Sequence, residues 1–292
     1  MIVVKLQGGL GNQMFQYACA KMLATKYEIS LKVDLDFLLD RTPRENFVFR
    51  NYDLDIFILN PPIISVEEKT KLLRKPSNLL QRFIKPNYIT FVEKQFNFDE
   101  KVMNLGPNTY LDGYFQSEKY FASIKDEIKK EFTFRNKFSE LEKSLYDEIK
   151  SKNAICVNFR RADYVNLQVS ADMHGIVEME FYHHAINEIA TKVDNPTFYV
   201  FSDEITWCQQ NFSIDYPCTF VDYRYKGEKF ASYFQLMIAC KHFIIPNSTF
   251  AWWAAWLSES NETIVITPRK WFANEVMQAQ AIDIIPDRWI KM

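Results

Sequence analysis

From Ala154 onward the chain alternates two kinds of segment, and this alternation constrains the fold more than any other feature. Apolar, β-rich runs occur at 154–159, 197–202, 219–222, 242–245 and 263–267. Helical spacing predicts helices between and after them, at about 178–193, 203–211, 229–241 and 249–258. Continuous apolar strands separated by helices imply a parallel sheet covered on both faces. The start of the chain repeats the theme. A short β-rich run at 2–6 meets Gly8-Gly9-Leu10-Gly11, and a helix is predicted over about 12–27, with Met14, Ala18 and Met22 on one face. Strand, glycine turn, helix is how an α/β nucleotide-binding domain opens. Further strands are expected at 29–33, 88–93 and 109–113, with helices at 117–132 and 138–151. Pro61, Pro62, Pro76 and Pro86 break the pattern over 41–87, which reads as irregular structure with short helices. The resulting architecture is α/β: two Rossmann-like domains facing across a cleft, 1–150 and 151–292.

Composition narrows the function. With 292 residues, 48% of them hydrophobic, the chain has ample material for a core. Lys plus Arg number 35 against 37 Asp plus Glu, a net charge of −2, so there is no global footprint for nucleic acid. Any basic site must be local. An aromatic content of 16% with seven glycines excludes collagen-like and disordered classes. Five scattered cysteines without a CxxC pair read as buried thiols in a reducing compartment. No apolar run is as long as a membrane span, and the first six residues are too short for a signal-peptide core. The expectation is a cytoplasmic protein without a membrane span, with peripheral association left open.

Three motifs carry chemistry. Gly9-Leu10-Gly11-Asn12-Gln13-Met14 begins like the dinucleotide fingerprint, with Asp34 or Asp36 at a plausible distance for the ribose acid, but Met14 stands where the third glycine belongs. The plain alternative is a tight turn with Asn12 as N-cap. Asn158-Phe159-Arg160-Arg161-Ala162-Asp163-Tyr164 brings two arginines directly off a buried strand. One faces the crevice at the strand's C-terminal end, and the other pairs with Asp163 or a helix end. A guanidinium fork suits a diphosphate; the plain alternative is a structural ion pair. Asn247-Ser248-Thr249 leaves another strand and opens a helix, offering hydroxyls and N–H groups to an anion. Trp252, Trp253 and Trp256 behind it have the spacing of a core-facing stripe. The pairs Asp34-Leu35-Asp36 and Asp53-Leu54-Asp55 match a metal-binding Asp-x-Asp in letters, but alternation along a strand explains both. The four histidines show no metal spacing.

Taken in order, the motifs resemble a known family. Residues 8–18, Asp112-Gly113-Tyr114-Phe115-Gln116-Ser117, Phe159–Tyr164, Phe201-Ser202-Asp203-Glu204, Cys240-Lys241-His242 and Asn247–Trp256 are similar to α-1,2-fucosyltransferases of glycosyltransferase family 11. The resemblance implies a GT-B-type fold and inverting, metal-independent transfer of fucose from GDP-β-L-fucose to the 2-hydroxyl of a terminal β-galactoside. It implies no cofactor; the partners are the donor GDP-fucose and a galactose-terminated glycan acceptor. It places Arg160 on the donor phosphates, Asp163 on the loop or Arg161, and Ser248 and Thr249 on the same phosphates. Asn12 and Gln13 approach the donor from the first domain, and Asp203 and Asp222 lie near the nucleoside. Two letters depart from the family's His-x-Arg-Arg-Gly-Asp-Tyr: Asn158 replaces the guanine-side His and keeps a directional hydrogen bond without charge, and Ala162 replaces Gly. Asp34, Asp36, Asp112, Glu178 and His174 are candidate general bases by position. The alternatives are a nicotinamide oxidoreductase and a non-catalytic nucleotide- or glycan-binding protein.

Overall fold

The structure, a computed structural model, describes residues 1–45, 47–73, 88–161, 172 and 175–292. The chain forms two compact units: Met1–Thr133 with Ile282–Ile284, and Phe134–Ala281 with Ile285–Met292.

Unit 1 contains β1 (Ile2–Lys5), α1 (Leu10–Lys26), β2 (Leu31–Asp34), α2 (Asp36–Leu39), α3 (Val66–Leu73), β3 (Ile89–Val92), α4 (Glu100–Met103), β4 (Thr109–Asp112) and α5 (Lys125–Glu131). Its four strands are parallel in the order β2-β1-β4-β3. Ile2, Val3 and Val4 of β1 are fully buried, as are Met14, Phe15, Ala18, Cys19 and Leu23 of α1. A central parallel strand is covered on both faces, which explains the unbroken apolar run. The helix begins at Leu10 with Gly9 as N-cap, so Asn12 lies in its first turn and does not cap it. Gly8 sets this entry angle: its φ is +78°, and a Cβ there would collide with Asn12 Nδ2.

The expected helix over 117–132 is broken into two 3₁₀ turns, Glu118–Tyr120 and Ala122–Ile124, followed by α5. The cause is aromatic anchoring. Phe121 packs against Phe15 at 6.1 Å, and Tyr120 against Phe98 at 4.9 Å, which pulls the backbone out of helical register.

Unit 2 contains α6 (Glu140–Ser151), β5 (Asn153–Phe159), α7 (Met179–Ala190), β6 (Pro196–Ser202), α8 (Ile205–Asn211), β7 (Cys218–Phe220), α9 (Ala231–Ala239), β8 (His242–Ile244), α10 (Thr249–Ser258), β9 (Val265–Thr267), α11 (Glu275–Ala279) and β10 (Ile290–Lys291). The helix α6, expected in the first domain, lies in unit 2 and packs on α9 and β5. Ser139 and Glu142 form a reciprocal capping box that starts it.

All six strands are parallel in the order β10-β9-β8-β5-β6-β7. From β5 the chain winds outward through β6 and β7, then returns to the other side of β5 as β8. That reversal is a topological switch point, where the C-terminal strand ends open a crevice. The core beside it includes Ile155, Val157, Tyr182, Ile186, Phe198, Val200 and Ile244. In α10 every residue from Ala251 to Trp256 is fully buried, with Trp252 and Trp253 at 5.1 Å and Trp289 closing on Trp252 at 5.4 Å. The tryptophans are core. All five cysteines are free. Among the described residues, no helix is long and apolar enough to cross a membrane.

Candidate functional site

In unit 2 the register fixes what emerges at the switch point. Phe159 pairs with Ser202, so Arg160 and Asp203 leave neighbouring strand ends side by side. Arg160 Nη1 lies 2.5 Å from Asp203 Oδ2, with the two side chains 27% and 20% exposed. Asp203 Oδ1 also accepts the N–H of Arg161 at 2.8 Å, so one carboxylate holds both arginines in place. The arginines then part. The Arg161 guanidinium stacks 3.4 Å above the Trp207 ring, and its Nε is 3.4 Å from Glu204 Oε2. Arg161 thus packs on α8 and Arg160 pairs with Asp203, and both line the cavity beside this strand end. Asp163 and His174 lie outside the described residues.

On the other side of the switch point, β8 pairs with β5 and runs into Asn247-Ser248-Thr249. Ser248 is the N-cap of α10, yet its side chain makes no capping hydrogen bond. The first N–H groups of a helix have no acceptor within it. They give this helix start, just past the end of β8, a positive pole. β5 and β8 are adjacent parallel strands, about 5 Å apart, so Arg160 and this helix start follow neighbouring strand ends.

The remaining unit 2 residues are distributed differently. Asn158 is buried, its Nδ2 donating to Phe201 O at 3.2 Å and its carbonyl accepting from Tyr182 Oη at 3.1 Å. Asp222 follows the edge strand β7, two strand spacings or about 10 Å from β5. It accepts from Arg224 N and Nε, both at 3.0 Å, and Arg224 holds its carboxyl below the ordinary range. Tyr233 Oη braces this side, accepting Ser202 N at 2.7 Å and donating to Val221 O at 3.0 Å. A cavity of about 320 Å³ opens beside Arg160, lined by Glu178, Tyr182, Trp207 and Asn211 among others.

Unit 1 has its own switch point, between β1 and β4. Its residues face each other. Lys5 Nζ is 3.1 Å from Asp112 Oδ1. Asn12 Oδ1 accepts from Gln116 Nε2 at 2.8 Å. Gln13, expected on the donor, is fully buried, and its amide donates to Gly8 O (3.0 Å) and Asn51 O (2.8 Å) and accepts Asp53 N (3.0 Å). It has no surface for a ligand, and its work is to clamp the glycine turn to the 51–53 segment. Met14, in place of the third glycine, is fully buried in α1.

The Asp-Leu-Asp pair, in which Asp34 ends β2 and Asp36 opens α2 and not a continuing strand, is engaged by a lysine. Lys69 Nζ reaches Asp34 at 2.6 Å and Asp36 at 2.8 Å, and Tyr110 Oη donates to Asp34 at 2.5 Å. Burial alone raises the Asp34 carboxyl, but Lys69, Tyr110 and the Asp36 N–H outweigh it and hold the group below its ordinary range. An acid so tied is not placed to receive a ribose or a metal. Among the described residues, no group of three or more His, Cys, Asp or Glu side chains is arranged to hold a metal ion.

Local sequence patterns do not single out Glu93. Its oxygens accept Tyr114 N at 2.6 Å and Phe115 N at 2.9 Å, holding the turn of the Asp112–Ser117 motif. A Cβ at Gly113 would collide with Glu93 Cβ, so a glycine placed after a strand is the one signal that points to this carboxylate. Burial pushes the Glu93 carboxyl up to about 7 against the two N–H bonds, and nearby Asp112 adds to the rise.

The family described as Glycosyl transferase family 11 matches residues 1–292. An alpha-1,2-colitosyltransferase of Escherichia coli is 30% identical over 300 residues, covering 100% of this chain and 99% of the relative. The O-antigen biosynthesis glycosyltransferase WbnK of Escherichia coli is 31% identical over 306 residues, covering 98% and 99%. Among solved structures, a mutant of Arabidopsis thaliana FUT1 in complex with GDP shares the fold with a TM-score of 0.52 at 12% identity, over 98% of this chain and 74% of that one.

Proposed function

The chain belongs to glycosyl transferase family 11, and on that premise we propose that it transfers L-fucose from GDP-β-L-fucose to the 2-hydroxyl of a terminal β-galactoside. The observation that carries the reading is the placement of Arg160 after β5 and, after the adjacent strand β8, of a helix start whose N-cap side chain makes no capping bond, on the two sides of one switch point. Unit 2 is the donor side and unit 1 the acceptor side. The donor diphosphate lies between the Arg160 guanidinium and the Ser248–Thr249 helix start, with Asp203 setting the arginine's angle and Asn158 on the guanine side.

The acceptor 2-hydroxyl oxygen bonds to C1 of fucose as the C1–O bond to the β-phosphate breaks, which inverts the centre and releases GDP, and the hydroxyl proton passes to solvent or to the departing phosphate. Negative charge grows on the leaving phosphate in that step. Groups already aimed at it stabilise the transition state more than the bound donor. A guanidinium and helix N–H groups meet this need without a metal. The reaction belongs in the cytoplasm, in keeping with five free thiols.

A second reading concerns the sugar alone. The relative named for colitosyl transfer supports a donor whose sugar lacks the 3-hydroxyl of fucose. Purified protein is offered GDP-fucose or GDP-colitose with lactose, with and without EDTA, and GDP release and the product linkage are read. Release of GDP with fucose at O2 of galactose, undiminished by EDTA, is expected. Preference for GDP-colitose moves the assignment to the second reading, and GDP release that requires added Mg²⁺ or Mn²⁺ sinks the proposed mechanism.

A further inference from the structure

The loop after β2 carries an aromatic cluster that neither the core nor the donor edge uses. Phe37 and Phe47 meet edge to face at 6.0 Å, and Phe47 and Phe49 at 5.2 Å. Phe47 is 36% exposed and Phe49 38%. Guanidinium groups lie over the rings. The Arg44 guanidinium lies 4.8 Å from the Phe37 centroid and 4.9 Å from that of Phe47, and Arg41 lies 5.7 Å from Phe49. These cations are themselves tied down. Arg41 donates to Leu38 O at 2.8 Å, Arg50 O at 3.1 Å and Asn51 Oδ1 at 2.9 Å, and Arg44 pairs with Asp40. Gln13 fastens the far end of the loop through Asn51 O.

The position matters as much as the make-up. Lys5 Nζ, paired with Asp112 at the β1–β4 strand ends, also lies 4.6 Å over the Phe37 ring. The cluster therefore continues directly from the strand-end edge where open α/β sheets bind ligands. Exposed rings, rigidly braced and rimmed by a carboxylate and guanidinium N–H groups, mark a binding surface.

Its chemistry selects the occupant. A pyranose presents polarised C–H bonds on one face, which sit against the negative face of an aromatic ring. Its hydroxyls lie round the rim and need polar groups held in place beside the ring, as the Arg44–Asp40 pair is. A lipid surface calls for cations that can reach headgroup phosphates, whereas Arg41 and Arg44 are pinned to the loop itself.

We propose that Phe47 and Phe49, backed by Phe37 and Arg44, form a sugar-stacking platform that holds the acceptor glycan on unit 1. The inference rests on the fucosyl-transfer reading for its substrate class. The test compares wild type with Phe47→Ala/Phe49→Ala, and Phe49→Tyr with Phe49→Leu. Acceptor KM and kcat for lactose are read by GDP release, contact with lactose by saturation-transfer NMR, and GDP affinity by calorimetry.

The double variant is expected to raise the lactose KM at least tenfold and to lose the NMR contact, with GDP affinity unchanged. Phe49→Tyr keeps the wild-type KM within about threefold and Phe49→Leu does not, since stacking needs a ring and not just volume. Equal lactose contact in wild type and double variant overturns the proposal, as does absence of contact in the wild type. So does a variant that loses binding to phosphatidylglycerol vesicles while its lactose contact persists. If wild type contacts lactose through these rings but transfers nothing, the platform stands and the fucosyl-transfer reading falls.

Discussion

The strand ends flanking the β5–β8 switch point in unit 2 carry a part-exposed arginine and a helix start whose N-cap serine does not cap it. The corresponding ends of β1 and β4 in unit 1 are closed by internal bonds: Lys5 to Asp112, Asn12 to Gln116, Gln13 to the 51–53 segment, and Glu93 to the Tyr114–Phe115 turn. Both sheets are parallel and both reverse direction beside their first strand. Topology thus supplies two crevices, and the side chains decide what each can hold. One edge presents a guanidinium and helix N–H groups, suited to a diphosphate. Both edges pair their charges, Arg160 with Asp203 and Lys5 with Asp112, but the unit 1 edge adds exposed aromatic rings in place of a helix start, suited to a neutral polyhydroxylated ligand.

Removing Gln13 should break that contrast most visibly, because its three bonds hold the closed edge of unit 1. Gln13→Ala removes hydrogen bonds to part-buried backbone groups at Gly8, Asn51 and Asp53, each contributing about 0.5–1.5 kcal/mol. A total near 3 kcal/mol corresponds to a fall in Tm of roughly 6–12 °C. Calorimetry should find GDP affinity unchanged by the substitution at temperatures where the variant is folded. A variant that melts like wild type but binds GDP tenfold more weakly would return Gln13 to the donor site.

Glu93 sharpens the comparison through pH. Its carboxyl titrates near 7 in the folded protein and near 4.5 as an unperturbed group. Between those values the folded state binds more protons than the unfolded state, so stability falls as pH rises across that window. Glu93→Gln abolishes the ionisation. Melting curves from pH 4.5 to 7.5 should therefore show a downward slope in the wild type that the variant lacks. Parallel slopes would mean that this carboxylate is as well solvated as in the unfolded chain.

Ser248→Ala is the mildest of the set. Since the hydroxyl makes no capping bond, the usual cost of removing an N-cap does not apply, and Tm should move by less than about 2 °C. Loss of one neutral hydrogen bond, about 1 kcal/mol, should weaken GDP binding roughly fivefold. A drop in Tm without a change in affinity would make Ser248 an ordinary cap.

Much of this was legible in the sequence, and the exceptions have physical causes. β5 and β6 follow from the apolar, β-rich runs at 154–159 and 197–202, which the strands extend by one residue each. β10, with two residues, has no run to read. Local helical spacing could not anticipate that Tyr120 and Phe121 would pull 117–124 out of a helix, because their partners Phe98 and Phe15 are distant in sequence. The helix α6 reads as the end of one half, yet its contacts with α9 and β5 assign it to the other. At the site, the strand-end position of Arg160 and the helix start at Thr249 were visible as motifs. The stacking of Arg161 on Trp207 and the grip of Glu93 on the 114–115 turn depend on pairings between strands, which no local spacing records.

The account rests on Arg160 as the ligand of the donor diphosphate, and isothermal calorimetry of GDP binding to Arg160→Ala tests it directly. The pair with Asp203 is partly exposed, so the fold should lose about 1 kcal/mol at most. A charge-assisted bond contributes about 1.5–3 kcal/mol, which sets an expected loss of GDP affinity of roughly tenfold to a hundredfold. Arg160→Lys should restore little of it, because an ammonium lacks the planar fork. Turnover with GDP-fucose should fall further than affinity, as charge on the phosphate peaks in the transition state. An Arg160→Ala protein that melts like wild type and binds GDP with wild-type affinity would contradict the account.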